Sequence, residues 1–328
     1  MKRIIPFIIL IATISCRPDE KEKKYTLVIT DIPSNIKDLN TEYDDYNSDL
    51  NYPHERTEIY FSSNRNSQGG TFDIVAKNLD FSYHAEDDVL NLSIGDEPSE
   101  SVLILPKVNT DSNEYGPYTF YSGYDMIFMY ASNIDSKYNT KFVVFTNWNY
   151  AGIREQTVSD PRGLSGINSY GDNLYPSISG DSTSIYFCSN YHDSVFNIYK
   201  ADYGTPINAN QLDNNNSVII EKDSILSGKS NDKCPFVNKN LMVFVSDREG
   251  GYGGFDLWYS YYNNGVWSEP VNFGEKINSE YNEYRPVAFT AMQGYQSNNF
   301  DVMIFSSDRP GGKGGFDLYV VKIDNMIK

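Results

Sequence analysis

The chain is predicted to be all-β, a five-bladed β-propeller of four-stranded antiparallel blades, and two observations predict it. The first is the near-identity of Ser246-Asp-Arg-Glu-Gly-Gly-Tyr-Gly-Gly-Phe-Asp-Leu257 and Ser307-Asp-Arg-Pro-Gly-Gly-Lys-Gly-Gly-Phe-Asp-Leu318. A unit repeated at a fixed period buries its apolar face only by stacking on its neighbours, so the repeat decides the architecture. The second is a pair of landmarks recurring at a period of about 60 residues. A proline opens each unit, at Pro53, Pro117, Pro176, Pro235 and Pro286, and a buried-strand phenylalanine follows at Phe61, Phe128, Phe187, Phe244 and Phe305.

The elements follow in chain order. Met1-Lys-Arg precedes an apolar run from Ile4 to Ile14, too short to span a bilayer as a mature helix, which reads as a secretory leader over residues 1–15. The run ends at Ser15-Cys16 and resembles a bacterial lipoprotein signal, which implies lipidation of Cys16; Thr13 stands where that pattern usually has leucine. Residues 16–24 are charged and have almost nothing apolar to bury, as expected of a solvated tether. Asp19 and Glu20 resemble the surface-export signal of Bacteroidetes lipoproteins. The expected location is therefore the outer membrane, lipid-anchored and facing the cell surface, with the periplasmic face as the alternative.

Residues 25–328 carry the propeller. In the fourth unit Leu241–Val245 and Phe255–Tyr261 read as strands, Asn263-Asn-Gly265 as a turn, and Val266–Phe273 as an outer strand whose Pro270 suits an edge. Met292–Asn299 reads as an insertion in the last unit. Aromatics make up 15% of the chain, with 27 Tyr and 18 Phe, which suits pleated, half-buried surfaces. The net charge of -17 makes nucleic acid an unsuitable partner. Cys188 and Cys234 remain after the leader cysteine; an oxidising compartment permits their bonding, and sequence leaves open whether they pair.

The Ser-Asp-Arg-x-Gly-Gly-x-Gly-Gly-Phe-Asp-Leu copies, together with Trp267-Ser-Glu-Pro-Val-Asn-Phe-Gly-Glu-Lys-Ile-Asn278 and the third copy Ser62–Asp73, resemble the TolB-type, WD40-like β-propeller repeat of Bacteroidetes envelope proteins. The units around Phe128 and Phe187 depart from that pattern. The resemblance implies a protein-interaction module; larger members of that family add a peptidoglycan-binding or peptidase domain, and neither is visible in this sequence.

Within the good copies an arginine precedes an aspartate by a constant interval: Arg65 and Asp73, Arg248 and Asp256, Arg309 and Asp317. A Gly-rich hairpin between them is expected to let each pair join as a structural ion pair. The third unit has Tyr191 and Asn197 at these positions, so cation and anion are lost together, as a pair too costly to break requires. The candidate binding groups are Glu114, Asn173, Asp232 and Glu283, three residues before their prolines; in the first unit Leu50, beside Asp49, breaks the set. If the strands that follow line the channel, these four ring one mouth.

Catalysis is not expected. A propeller glycosidase needs two carboxylates across a pocket, and no carboxylate stands apart from the repeat. His54, His84 and His192 fall in unrelated contexts, and there is no nucleophile elbow or metal cluster. No cofactor is expected. The sequence reading is a non-catalytic envelope lipoprotein that binds a protein partner. Its alternative is a surface glycan binder using exposed Tyr and Trp, such as Tyr259–Tyr262 or Trp148 with Tyr150.

Overall fold

A computed structural model describes residues 27–51, 56–150, 153–164, 166–168, 171–192, 194–213, 218–293 and 296–328. The leader, Cys16, the tether, Pro53 and His54 lie outside the described residues. Five antiparallel sheets form the blades of a propeller. From the centre outward, blade 1 is Asp45–Asn51, Arg56–Ser63, Asp73–His84 and Val89–Ile94, with Leu27–Ile29 as a fifth strand. Blade 2 is Glu114–Ser122, Asp125–Ser132, Asn139–Tyr150 and Ile153–Val158, with Arg162–Gly163 also on its third strand. Blade 3 is Asn173–Ile178, Ser184–Ser189, Asn197–Asp202 and Ile219–Lys222. Blade 4 is Asp232–Asn238, Leu241–Ser246 and Asp256–Asn263, then the short strands Val266–Trp267 and Val271–Asn272. Blade 5 is Glu283–Gln293, Gln296–Ser307 and Asp317–Asp324, closed on its outer edge by Ser34–Asn35 from ahead of blade 1. The expectation of four strands per blade thus holds for two blades, and three carry a fifth. The 292–299 insertion is the far end of a long hairpin joining the first two strands of blade 5.

The repeated sequence features become one latch used five times. The backbone N–H that starts each inner strand donates to the carbonyl of an aromatic on the preceding blade: Asp45 to Phe316 at 2.8 Å, Glu114 to Phe72 at 2.8 Å, Asn173 to Tyr138 at 2.8 Å, Asp232 to Phe196 at 2.8 Å and Glu283 to Phe255 at 2.7 Å. The amide of that aromatic in turn donates to a side-chain oxygen of Asp44, Asn113, Asp172, Asn231 or Asn282. Because the first of these bonds joins blade 5 to blade 1, the ring is closed by the same contact that builds it. The Gly-rich loops permit this approach: a Cβ on Gly253 or Gly314 would run into the carbonyl oxygens of Tyr281 or Tyr43.

The repeated proline also acquires a cause. Every inner strand slips register near its start, between Tyr46 and Asp49, Tyr115 and Tyr118, Leu174 and Ser177, Lys233 and Phe236, and Tyr284 and Val287, and that of blade 5 slips again between Thr290 and Met292. At each slip one residue is left-handed: Asn47 at φ 58°, Gly116 at 56°, Tyr175 at 57°, Cys234 at 54° and Arg285 at 44°. The next residue is Ser48, Pro117, Pro176, Pro235 or Pro286, where a bulge leaves no ladder bond for an N–H to make. Ser48, and not Pro53, is therefore the first-unit equivalent. Phe61, Phe128, Phe187, Phe244 and Phe305 are all buried as read from the repeat. Cys188 and Cys234 are buried free thiols, and burial pushes the Cys188 thiol up to about 11.

Candidate active site

The left-handed residues form a plug where the inner strands converge: Asn47 Nδ2 lies 3.4 Å from the Tyr175 hydroxyl, and a Cβ on Gly116 would meet the Tyr175 ring. Arg285 is fully buried; its Nη2 donates to the Pro117 carbonyl at 3.0 Å and its Nη1 to that of Pro235 at 3.5 Å, with the guanidinium 5.5 Å from the Tyr175 ring centre. One side chain from blade 5 thus ties blades 2 and 4. Asp49, also buried, accepts from the Thr119 amide at 2.8 Å and hydroxyl at 2.7 Å. Burial raises its carboxyl to about 6, although Thr119 and the charge of Arg285 pull the other way.

Above this plug opens a bowl of about 470 Å³ lined by Tyr46, Tyr115, Leu174, Lys233 and Tyr284 from the inner strands, with Tyr175 as its floor. The aromatics that begin the third strands, Tyr138, Phe196, Phe255 and Phe316, form its wall, joined by Asp172 and Asn282. Alternation explains the assignment: each lining residue on an inner strand is the immediate neighbour of a buried acid or Asn, and so faces the other way. The rings form a belt, with Tyr46 stacked on Phe316 at 5.4 Å and edge-on to Tyr115 at 5.6 Å, Tyr115 5.2 Å from Tyr138, and Tyr284 edge-on to Phe255 at 5.5 Å. Burial holds the phenols of Tyr46, Tyr175 and Tyr284 well above their usual range, so they are neutral donors at physiological pH. Asp172 is the one carboxylate of the described bowl lining. Its Oδ1 accepts from the Tyr138 amide at 2.9 Å, while its Oδ2 has only a 3.4 Å contact from Asn190 Nδ2.

Both sequence-derived residue sets are rearranged. Glu114, Asn173, Asp232 and Glu283 do occupy equivalent positions, yet all four are 0% exposed and sit behind the bowl instead of around its mouth. Asp45 completes this set and was hidden by the misleading Pro53. The arginines pair with these acids, not with the aspartates eight residues on: Arg65 with Asp45 at 2.6 Å, Arg248 with Asp232 at 2.5 Å and Arg309 with Glu283 at 2.8 Å. Each arginine turns inward, with its Nη2 also on the carbonyl of Leu39, Leu226 or Ile277. Asp256 and Asp317 instead accept loop amides, from Tyr252 and Gly253 or from Lys313 and Gly314, and Asp73 accepts from Asn66 Nδ2 at 3.0 Å. A second strand has two neighbours, and the inner one offers each arginine a fully buried acid in place of the aspartate across the hairpin. In blade 2 the arginine position is Ile134, and Glu114 is held by Thr110 and Ser132 alone; burial raises its carboxyl. Among the described residues no group of three His, Cys, Asp or Glu is placed to hold a metal.

No protein-family model matches the chain, and no curated protein does. The fold is similar to that of solved five-bladed enzymes. The α-L-arabinofuranosidase PaAbf62A from Podospora anserina aligns at TM-score 0.51 and 12% identity, over 86% of this chain and 91% of that one. The catalytic domain of the Coprinopsis cinerea GH62 α-L-arabinofuranosidase aligns at 0.50 and 12%, over 92% and 97%. A GH43_1 enzyme from Xanthomonas citri aligns at 0.51 and 10%, over 89% and 91%. At such identity the likeness establishes the five-bladed fold.

These likenesses correct the reading of the chain as a non-catalytic protein-binding module and as no enzyme. The solved structures just named, which share its fold over most of its length, are glycoside hydrolases and not TolB-type proteins. The residues that carry the TolB-type resemblance are engaged in latches, loop closure and internal ion pairs.

Proposed function

We propose that this propeller acts on a glycan, cleaving a glycosidic bond of a sugar unit held in the central bowl. The observation that carries the reading is the bowl itself, a concave aromatic surface with few polar groups at the axis of a five-bladed ring. Sugar rings stack on such faces through their C–H edges, and neutral phenols supply donors to their hydroxyls. Asp172, with its weakly engaged Oδ2, is the group on the bowl wall able to protonate a leaving oxygen. Hydrolysis by two carboxylates requires the second within about 5 to 9 Å of the first. The described lining contributes only Asp172; in this reading water bonds to the anomeric carbon as the bond to the protonated leaving oxygen breaks, its proton passes to bulk solvent, and turnover is expected to be slow. The GH62 and GH43 likenesses support the substrate class.

The experiment is a panel of aryl glycosides and oligosaccharides, including arabinofuranosides and xylosides, assayed with wild type, Asp172→Asn and Tyr284→Ala. The Asn variant keeps the latch, since Asn113, Asn231 and Asn282 make it in other blades. It should retain binding and lose turnover by about 100-fold or more, whereas Tyr284→Ala should lose binding. No turnover on any substrate would overturn the catalytic part, and binding indifferent to Tyr284 would overturn the placement.

Lipidation of Cys16 and an outer-membrane location remain part of this proposal, supported by the leader and the charged segment behind it. Descent of the repeat from the TolB-type unit is likewise a proposal, supported by the Ser-Asp-Arg and Phe-Asp-Leu copies.

A further inference from the structure

Beside the carboxylate of Asp172, the described bowl lining holds one cation, at a repeat position that does not require it. At the equivalent place the other inner strands have Tyr46, Tyr115, Leu174 and Tyr284, and only blade 4 has a cation, Lys233. Its Nζ lies 4.4 Å from the Phe196 ring centre, 5.4 Å from Tyr284 and 5.6 Å from Phe255. Three π faces hold the ammonium by their quadrupoles, but a ring face takes no hydrogen bond comparable to that of a carboxylate. Among the described residues, no carboxylate forms a salt bridge with this lysine and no protein oxygen accepts from its Nζ. The chain is otherwise acidic, at -17, so a half-buried ammonium with three free donors aimed into a concave site is matched to an anion brought in from outside.

We propose that the glycan recognised in the bowl is anionic, carrying a carboxylate or a sulfate ester on the ring that enters, and that Lys233 is the residue that reads this charge. The inference deepens the reading of the bowl as a glycan site and rests on it. An aromatic cage in an acidic protein also suits a cationic ligand, but here the lysine already occupies the cage and repels a second cation. Lys233 binds the charge and the tyrosine belt stacks the ring.

The test is calorimetric titration of the full chain with three matched trisaccharides, one bearing uronates, one sulfated and one neutral. Wild type, Lys233→Met and Lys233→Arg are compared, with thermal denaturation confirming that each variant is folded. Wild type should bind at least one anionic trisaccharide about 10-fold or more tightly than the neutral one. Lys233→Met should erase that preference, and Lys233→Arg should keep a preference. The uronate and sulfate arms identify which anion is read. Equal binding of neutral and anionic sugars by wild type, or an anion preference that survives Lys233→Met, would overturn the inference while leaving the glycan reading intact. Failure of all three sugars to bind would overturn the glycan reading and this inference with it.

Discussion

Arg285 and Asp49 are both buried in the propeller, and the carboxyl of Asp49 decides how this part of the core responds to acid. Asp49 has its folded-state carboxyl raised to about 6 by burial, above the value of 3.8 expected when unfolded. The folded state therefore binds the proton more tightly. Stability attributable to this group is greatest below about pH 4 and is lost as pH rises to about 6, by about 3 kcal/mol in total. In Asp49→Asn the difference in unfolding free energy from wild type should drift by roughly that amount across this window and be flat above it. A pH-independent difference, measured by urea denaturation, would show that Asp49 is not protonated on folding. The burial of this pair was not legible in the sequence. Asp49 lies next to Leu50 in what reads as a polar strand start, and Arg285 occupies a position that holds Asn, Gly, Tyr or Cys elsewhere. Only the bulge, which makes this residue left-handed in every blade, marks the position of Arg285 as special.

At the scale of the element, the blade is built around an arginine that ties its second strand to its first. Blade 2 is the natural deletion of this device, with the acid Glu114 kept and Ile134, half exposed, at the arginine position. Ile134→Arg should rebuild the contacts seen in blades 1, 4 and 5, reaching Ser132, Glu114 and the Val108 carbonyl, with its guanidinium over Phe128 as Arg65 lies over Phe61. The expected gain is about 1 kcal/mol, or a Tm higher by a few degrees. Arg248→Leu should do the reverse and more, costing about 3 kcal/mol by leaving Asp232 buried without its cation. Thermal denaturation of both variants checks the pair; a neutral Arg248→Leu would refute the structural role. The strands, the phenylalanines, the turns and the equivalence of Glu114, Asn173, Asp232 and Glu283 were all legible from repetition. The partner of each arginine was not, because repetition reports which residues are equivalent, not which of two flanking strands a side chain turns toward. The bowl lay one position further along the same strands: the period-2 alternation that hides the acids exposes Tyr46, Tyr115, Lys233 and Tyr284.

For the whole molecule, identical latches around the ring, the last joining blade 5 to blade 1, make the bowl a rigid property of closure and not of any single loop. Its wall is drawn from all five blades, so a ligand there contacts the assembly and not one unit. A second concavity of about 390 Å³ lies between blades 3 and 4, lined by Tyr186, Tyr262 and Trp267 with Lys200, Lys239 and Lys328 near its edge. It also pairs aromatic rings with cations, and so is the natural competitor for any sugar. Its tryptophan is already engaged, with the indole N–H donating to the Tyr186 hydroxyl at 3.1 Å. The two sites are separated most directly by a crystal structure of the full chain grown with an anionic trisaccharide. The account predicts a sugar ring against Tyr46, Tyr115 and Tyr284, with its anionic group within about 3 Å of Lys233 Nζ. Sugar density at Tyr186 and Trp267 above an unoccupied bowl would contradict it.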